Sequence, residues 1–174
     1  MTSSPLKIGF IGLGIMGAPM AGHLLAAGHQ LFVYSRGKLP APIAQSSATQ
    51  CVSARGVAER ADIVFTMLPD TPDVEAVLFG EAGIAAGLGK GKTVVDMSSI
   101  SPIATKVFAQ RIHALGGDYL DAPVSGGEVG AKNATLSIMC GGTQAAFDKV
   151  KPLFELMGKN ITLVGGVGDG QITK

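Results

Sequence analysis

The chain has 174 residues, 47% of them hydrophobic and 16% charged, with 25 glycines, two cysteines, no tryptophan and a formal net charge of +1. That length holds one domain and at most the start of a second, and its apolar fraction excludes a disordered chain. The near-neutral charge excludes a broad nucleic-acid surface or an anionic-membrane surface, Cys51 and Cys140 are too few for a disulfide framework, and no secretory segment leads the sequence, so a cytoplasmic protein is expected.

Residues 8–35 carry no formal charge, long enough for a bilayer span. They also contain seven glycine or proline breaks, with His23, His29 and Gln30, and read better as strand, turn and buried helix. Residues 6–11 are a buried strand, 16–27 a helix stopped by Gly28, and 31–34 a second strand. The stretch 37–47 has little periodicity. Ser53 caps a short helix to Arg60, 62–68 is a strand ending at Pro69, 73–79 a helix and 93–97 a strand. Ser101-Pro102 starts a helix in which Ile103, Val107, Phe108, Ile112 and Leu115 recur at helical spacing up to Gly116-Gly117. Residues 119–124, 135–140 and 161–164 read as strands, and 145–157 as a helix interrupted or restarted at Pro152. The alternation predicts an α/β fold: a doubly wound, mostly parallel sheet with helices on both faces. Residues 165–174 are expected to leave that core as a hinge and the start of an interdomain helix, dividing the chain into 1–164 and 165–174.

Gly12-Leu13-Gly14-Ile15-Met16-Gly17 is a G-x-G-x-x-G motif with a strand before it and a helix after it. In that setting Gly12 makes the tight turn, Gly14 lets a pyrophosphate approach the backbone, and Gly17 lets helix pack on strand, as in a Rossmann-type dinucleotide site. The acid that usually follows at the end of the second strand is missing. Tyr34-Ser35-Arg36 stands there, and no Asp or Glu precedes Glu59. An Arg beside a hydroxyl suits a 2′-phosphate, so NADP(H) is favoured and NAD(H) remains possible.

The segment AGLGKGKT (86–93) imitates a relaxed phosphate loop but runs into a strand, so Lys90 and Lys92 read as solvated turn residues. Other strand ends, Leu68-Pro69, Ser98-Ser99 and Ser125-Gly126-Gly127, lie where open α/β sheets bind ligands. The last offers a hydroxyl and two N–H groups to a small carboxylate, or is an ordinary turn. His23, His29 and His113 have no catalytic partner at triad or metal-ligand spacing.

Together GFIGLGIMGAPMA (9–21), MLP (67–69), DMSSISP (96–102), DAPVSGG (121–127) and GVGDGQITK (166–174) resemble the β-hydroxyacid dehydrogenase family, in order and along the whole chain. The resemblance implies interconversion of a small carboxylate-bearing aldehyde and its β-hydroxyacid with a nicotinamide cofactor. It implies no nucleic-acid or membrane partner. Residues 12–17 match the cofactor loop, Ser35 and Arg36 the adenosine ribose end, and Leu68, Pro69 and Ser99 contacts nearer the nicotinamide. Ser125, Gly126 and Gly127 match the substrate motif, and Lys174 matches the catalytic lysine.

The resemblance also implies a second, all-helical domain and a homo-oligomer when full length, so this chain alone is expected to bind cofactor and catalyse weakly or not at all. The chain departs from the 3-hydroxyisobutyrate branch, which usually carries an acid near position 35 and a threonine where Ser99 stands. Ala134 replaces a frequent glycine in the strand after the SGG motif, and His23 a frequent asparagine. Sister enzymes of that branch or for succinic semialdehyde, glyoxylate or an imine, and a non-catalytic dinucleotide-binding module, are the alternatives.

Overall fold

Short apolar runs bounded by turns are buried on both sides only inside a parallel sheet. The computed structural model, which describes residues 4–174, builds one. Strands β1 (Lys7–Ile11), β2 (Gln30–Tyr34), β4 (Ile63–Thr66), β5 (Thr93–Asp96) and β6 (Asp118–Asp121) lie parallel in the order β2-β1-β4-β5-β6, with β3 (Thr49–Gln50) at the β2 edge. Beyond β6, β8 (Leu136–Gly141) runs antiparallel to β6 and to β7 (Val124–Ser125) and parallel to β9 (Gly158–Gly165).

Helices α1 (Gly17–Ala26), α2 (Ala41–Ala44), α7 (Gly127–Asn133) and α8 (Gln144–Met157) cover one face. There Phe10 stacks on Phe65 at 5.9 Å and Phe154 meets Phe65 edge-on at 6.4 Å. Helices α3 (Ala54–Arg60), α4 (Thr71–Phe79), α5 (Ile84–Gly87) and α6 (Pro102–Ala114) cover the other face, over Val64, Val94 and Tyr119. The doubly wound, mostly parallel architecture expected from the alternation is present. No helix among the described residues is long and apolar enough to cross a membrane.

Several local readings change. In α6 the buried face is Thr105, Phe108, Ala109 and Ile112, whereas Ile103 is 79% exposed and Val107 and Leu115 are exposed too. Apolar spacing alone chose a mixed stripe, because the buried Thr105 supplies its own partner by donating to the Ser101 carbonyl at 2.9 Å. Pro152 does not interrupt α8, which runs continuously from 144 to 157. It sits on the exposed face, as does Asp148 one turn before it. Lys92 is no free turn residue. Its ammonium donates to the Ala58 and Glu59 carbonyls at 2.6 and 3.1 Å, neutralising the negative end of α3. Residues 37–47 contain α2, residues 119–124 divide between β6 and β7, and α7 was not foreseen.

Residues 165–174 stay in contact with the sheet. They turn into α9 (Asp169–Thr173), which packs on β8, β9 and α6. The Asp121 carboxylate receives the N–H groups of Gly168 at 2.8 Å and Gln171 at 3.0 Å. The Gln171 amide donates to the Ser98 carbonyl at 2.7 Å and accepts the Ile100 N–H at 3.0 Å. Asp96, wholly buried beside Asp121 on the same sheet face, accepts the Thr66 hydroxyl and the Ser98 N–H. Its second oxygen, like the Tyr119 hydroxyl, has no hydrogen-bond partner.

Burial pushes the Asp96 carboxyl up to about 6, against the pull of hydrogen bonds from Ser98 and Thr66. Asp121 is raised by burial too, with the Gly168 and Gln171 N–H groups holding it back. Because the folded Asp96 holds its proton above the pH at which the unfolded chain releases it, its contribution to stability is full below pH 4. That contribution falls by about 3 kcal/mol as the pH rises to 6 and is level above. Asp96→Asn is expected to gain on the wild type across that window in urea unfolding. A difference that stays flat between pH 4 and 7 would sink the assignment.

Ala134 lies at the C-cap of α7, not in a strand, and holds φ 57°, a left-handed conformation that favours glycine. Ala134→Gly is therefore expected to stabilise the fold by about 1 kcal/mol in the same measurement, and an unchanged or lower stability would contradict it.

Candidate functional site

At the end of β1 the chain must reverse into α1 within a few residues. Gly12 does so at φ 97°, with the Met67 carbonyl against the place a side chain would take. A methyl at Gly17 would collide with the Gly12 carbonyl, so the helix begins in contact with the turn. Gly14 is different. Its φ is outside the left-handed range and nothing lies within 4 Å of where its Cβ would stand. Neither the turn nor the packing needs a glycine there, which leaves the open space itself as the reason. No side chain caps α1 and no acid occupies its first turn, so the positive end of its dipole is left to an anion.

This loop forms one wall of a cleft of about 650 Å³, within the range of small-molecule sites. Gly12, Leu13, Gly14, Ile15, Met16, Gly17, Ser35, Arg36, Leu68 and Pro69 all line it. So do residues that sequence reading missed: Val52 and Ser53 ahead of α3, Asp73, Ala76 and Val77 of α4, and Glu81. Val52 is 95% exposed, an apolar side chain on the cleft rim without a packing partner. The signal for α4 was the strand–helix alternation itself, which brings the first turn after β4 to the same rim.

Folding adds an acid beside Arg36. The sequence has no acid before Glu59, yet folding brings Asp73 to the end of β2, where its Oδ1 lies 3.1 Å from Arg36 Nη2. Among the described residues lining the cleft, Arg36 is the one cation, and Asp73 and Glu81 are the acids.

The remaining candidates lie outside this lining. Ser99 is exposed after β5, whereas its buried neighbour Ser98 accepts the Leu68 N–H at 2.8 Å and so fixes the cleft wall. Ser125 ends β7 and Gly126-Gly127 lead into α7, all three exposed. Lys174 is exposed after α9, its backbone N–H donating to Gly170 at 3.1 Å. The histidines serve the fold. His23 Nε2 bonds the Ala131 carbonyl at 2.8 Å, and His29 Nδ1, its basicity lowered by burial, accepts the Leu6 N–H. Among the described residues no group of three or more His, Cys, Asp or Glu is placed to hold a metal.

Residues 7–166 match the model of the NAD-binding domain of 6-phosphogluconate dehydrogenase. Over 97% of its length the chain is 62% identical to the 2-hydroxy-3-oxopropionate reductase of Escherichia coli (strain K12), and over 97% it is 41% identical to the NAD-dependent L-serine dehydrogenase of Pseudomonas aeruginosa PAO1. It spans 58% and 57% of those relatives. The solved structure of Mycobacterium tuberculosis 3-hydroxyisobutyrate dehydrogenase with L-serine superimposes with a TM-score of 0.90 at 32% identity, covering 98% of this chain and 58% of that one. Because the matched stretch takes in every strand from β1 to β9, the chain belongs to the family of the NAD-binding domain of 6-phosphogluconate dehydrogenase.

Proposed function

We propose that this protein is an NADP(H)-dependent oxidoreductase that reduces tartronate semialdehyde (2-hydroxy-3-oxopropionate) to glycerate, acting in the cytoplasm. The observation that carries the cofactor site is Gly14, whose missing side chain leaves room at the mouth of an uncapped helix. The 62% identity to the E. coli reductase supports the substrate. Arg36 supports the phosphorylated cofactor, as a guanidinium at the ribose end of the cleft. In this reading residues 1–164 hold the dinucleotide and residues 165–174 start the interdomain helix of a homo-oligomer.

The nicotinamide, when bound, exchanges a hydride with the substrate carbon. Leu68 and Pro69 flank its end of the cleft, with Ser99 nearby. Leu13, Gly14, Ile15, Met16 and Gly17 would hold the pyrophosphate through backbone N–H groups, on a turn fixed by Gly12, whose own N–H donates to the Tyr34 carbonyl at 3.2 Å. Ser125, Gly126 and Gly127 orient the substrate carboxylate. The Lys174 ammonium meets the negative charge that grows on the aldehyde oxygen and gives it the proton that completes the hydroxyl.

The binding half of the proposal is tested by titrating wild type, Gly14→Ala, Gly17→Ala and Arg36→Leu with NADPH and NADH. Wild type is expected to bind NADPH more tightly, and Arg36→Leu to lose that preference. Gly14→Ala should keep its unfolding free energy within about 0.5 kcal/mol yet bind either cofactor about tenfold more weakly, whereas Gly17→Ala loses stability. Tighter NADH binding by wild type would overturn the cofactor preference, and undiminished binding by Gly14→Ala would overturn the loop assignment. The substrate is tested by NADPH turnover of the full-length protein with tartronate, succinic and methylmalonate semialdehydes. Tartronate semialdehyde should give the highest kcat/KM, and a place among the poorest substrates would remove it.

A further inference from the structure

We propose that Asp73 is a cofactor-selecting residue: reaching the end of β2 from the first turn of α4, it takes the place of the acid that β2 lacks and opposes Arg36 in the choice between NADPH and NADH. The inference rests on the reading of the cleft as a dinucleotide site with Arg36 at its ribose end.

The two side chains are 37 positions apart in sequence and 3.1 Å apart in space. They are unequal partners. The Arg36 side chain is 74% exposed, and the Asp73 side chain only 26%. Asp73 stands on a well-anchored turn. Asp70 caps α4 by accepting the Thr71 N–H at 2.7 Å, Pro72 follows, and the Asp73 N–H donates to the Asp70 carbonyl at 3.0 Å. An acid in the first turn also suits the helix dipole. An exposed ion pair is weak and solvent-screened, so Arg36 can swing to another anion at small cost. Asp73, less exposed and set on that anchored turn, stays at this end of the cleft.

Each cofactor therefore meets a different balance. A 2′-phosphate that recruits Arg36 does so beside a fixed carboxylate of its own sign, which opposes it. A free 2′-hydroxyl meets an acceptor at that place, as it would with an acid at the end of β2. Arg36 raises affinity for the phosphorylated cofactor and Asp73 limits it, so the selectivity is the difference of two charges on neighbouring elements.

The experiment measures dissociation constants for NADPH and NADH with wild type, Asp73→Asn, Asp73→Ser and the double variant Asp73→Asn/Arg36→Leu, with unfolding curves confirming that each variant is folded. Asp73→Asn and Asp73→Ser should shift the NADPH-to-NADH affinity ratio toward NADPH by roughly 3- to 10-fold, through tighter NADPH and weaker NADH. In the Arg36→Leu background the NADH loss should persist. An unchanged ratio would make Asp73 a bystander. Weaker NADPH binding in Asp73→Asn would make it a support that orients Arg36, and either result overturns the proposal. The cofactor preference itself is read from wild type against Arg36→Leu, so it fails separately. A wild type that prefers NADH leaves the Asp73 shift to be observed.

Discussion

Two buried carboxylates at the ends of β5 and β6 hold the rim of the site together. Asp121 takes the N–H groups of Gly168 and Gln171, and Asp96 takes the Thr66 hydroxyl and the Ser98 N–H. Ser98 passes the constraint on by accepting the Leu68 N–H, so β4, β5, β6 and α9 meet in one hydrogen-bonded unit. Loops at the carboxyl edge of such a sheet are otherwise its most mobile parts. Burying two acids side by side is unfavourable, as the raised position of both shows. A rim that must hold a ligand in fixed geometry is where such a cost is accepted.

Much of this architecture is written in local pattern. β1, β4 and β5 are four- or five-residue apolar runs between turns. The helix starts at Ser53 and Ser101 are serines that accept the N–H three residues on. The glycine loop is legible because its spacing and its strand–helix setting agree. What pattern does not carry is the identity of neighbours. Nothing near Arg36 in sequence announces Asp73, and nothing in Lys92 announces the end of α3. The α6 stripe failed for a related reason. Burial there goes to a threonine whose hydroxyl is satisfied within its own helix, while Ile103 stays in solvent. The tail is a third case. GGVGDGQITK reads as a hinge by composition, and the pairing of Gln171 with Ser98 and Asp121 lies beyond what composition carries.

The three loop glycines separate constraints that a motif merges. Gly12 and Gly17 are demanded by the protein, one by its backbone conformation and a nearby carbonyl, the other by the contact of helix with turn. A protein with this fold and no ligand would need both. Gly14 answers to neither demand, and for that reason it is the position that speaks for a bound molecule. Gly22 and Gly37 are as unconstrained, and what sets Gly14 apart from them is its place at the mouth of an uncapped helix.

The same separation runs through the charges of this sheet edge. The buried carboxylates are locked to backbone N–H groups and cannot change without disturbing the rim, whereas Arg36 and Asp73 meet near solvent, where substitution costs the fold little. The proposed cofactor choice rests on the outer wall of the cleft, apart from the buried carboxylates that support its rim. With the fold-bearing carboxylates elsewhere, the pair on this wall can change while strands, turn and helix dipole stay as they are.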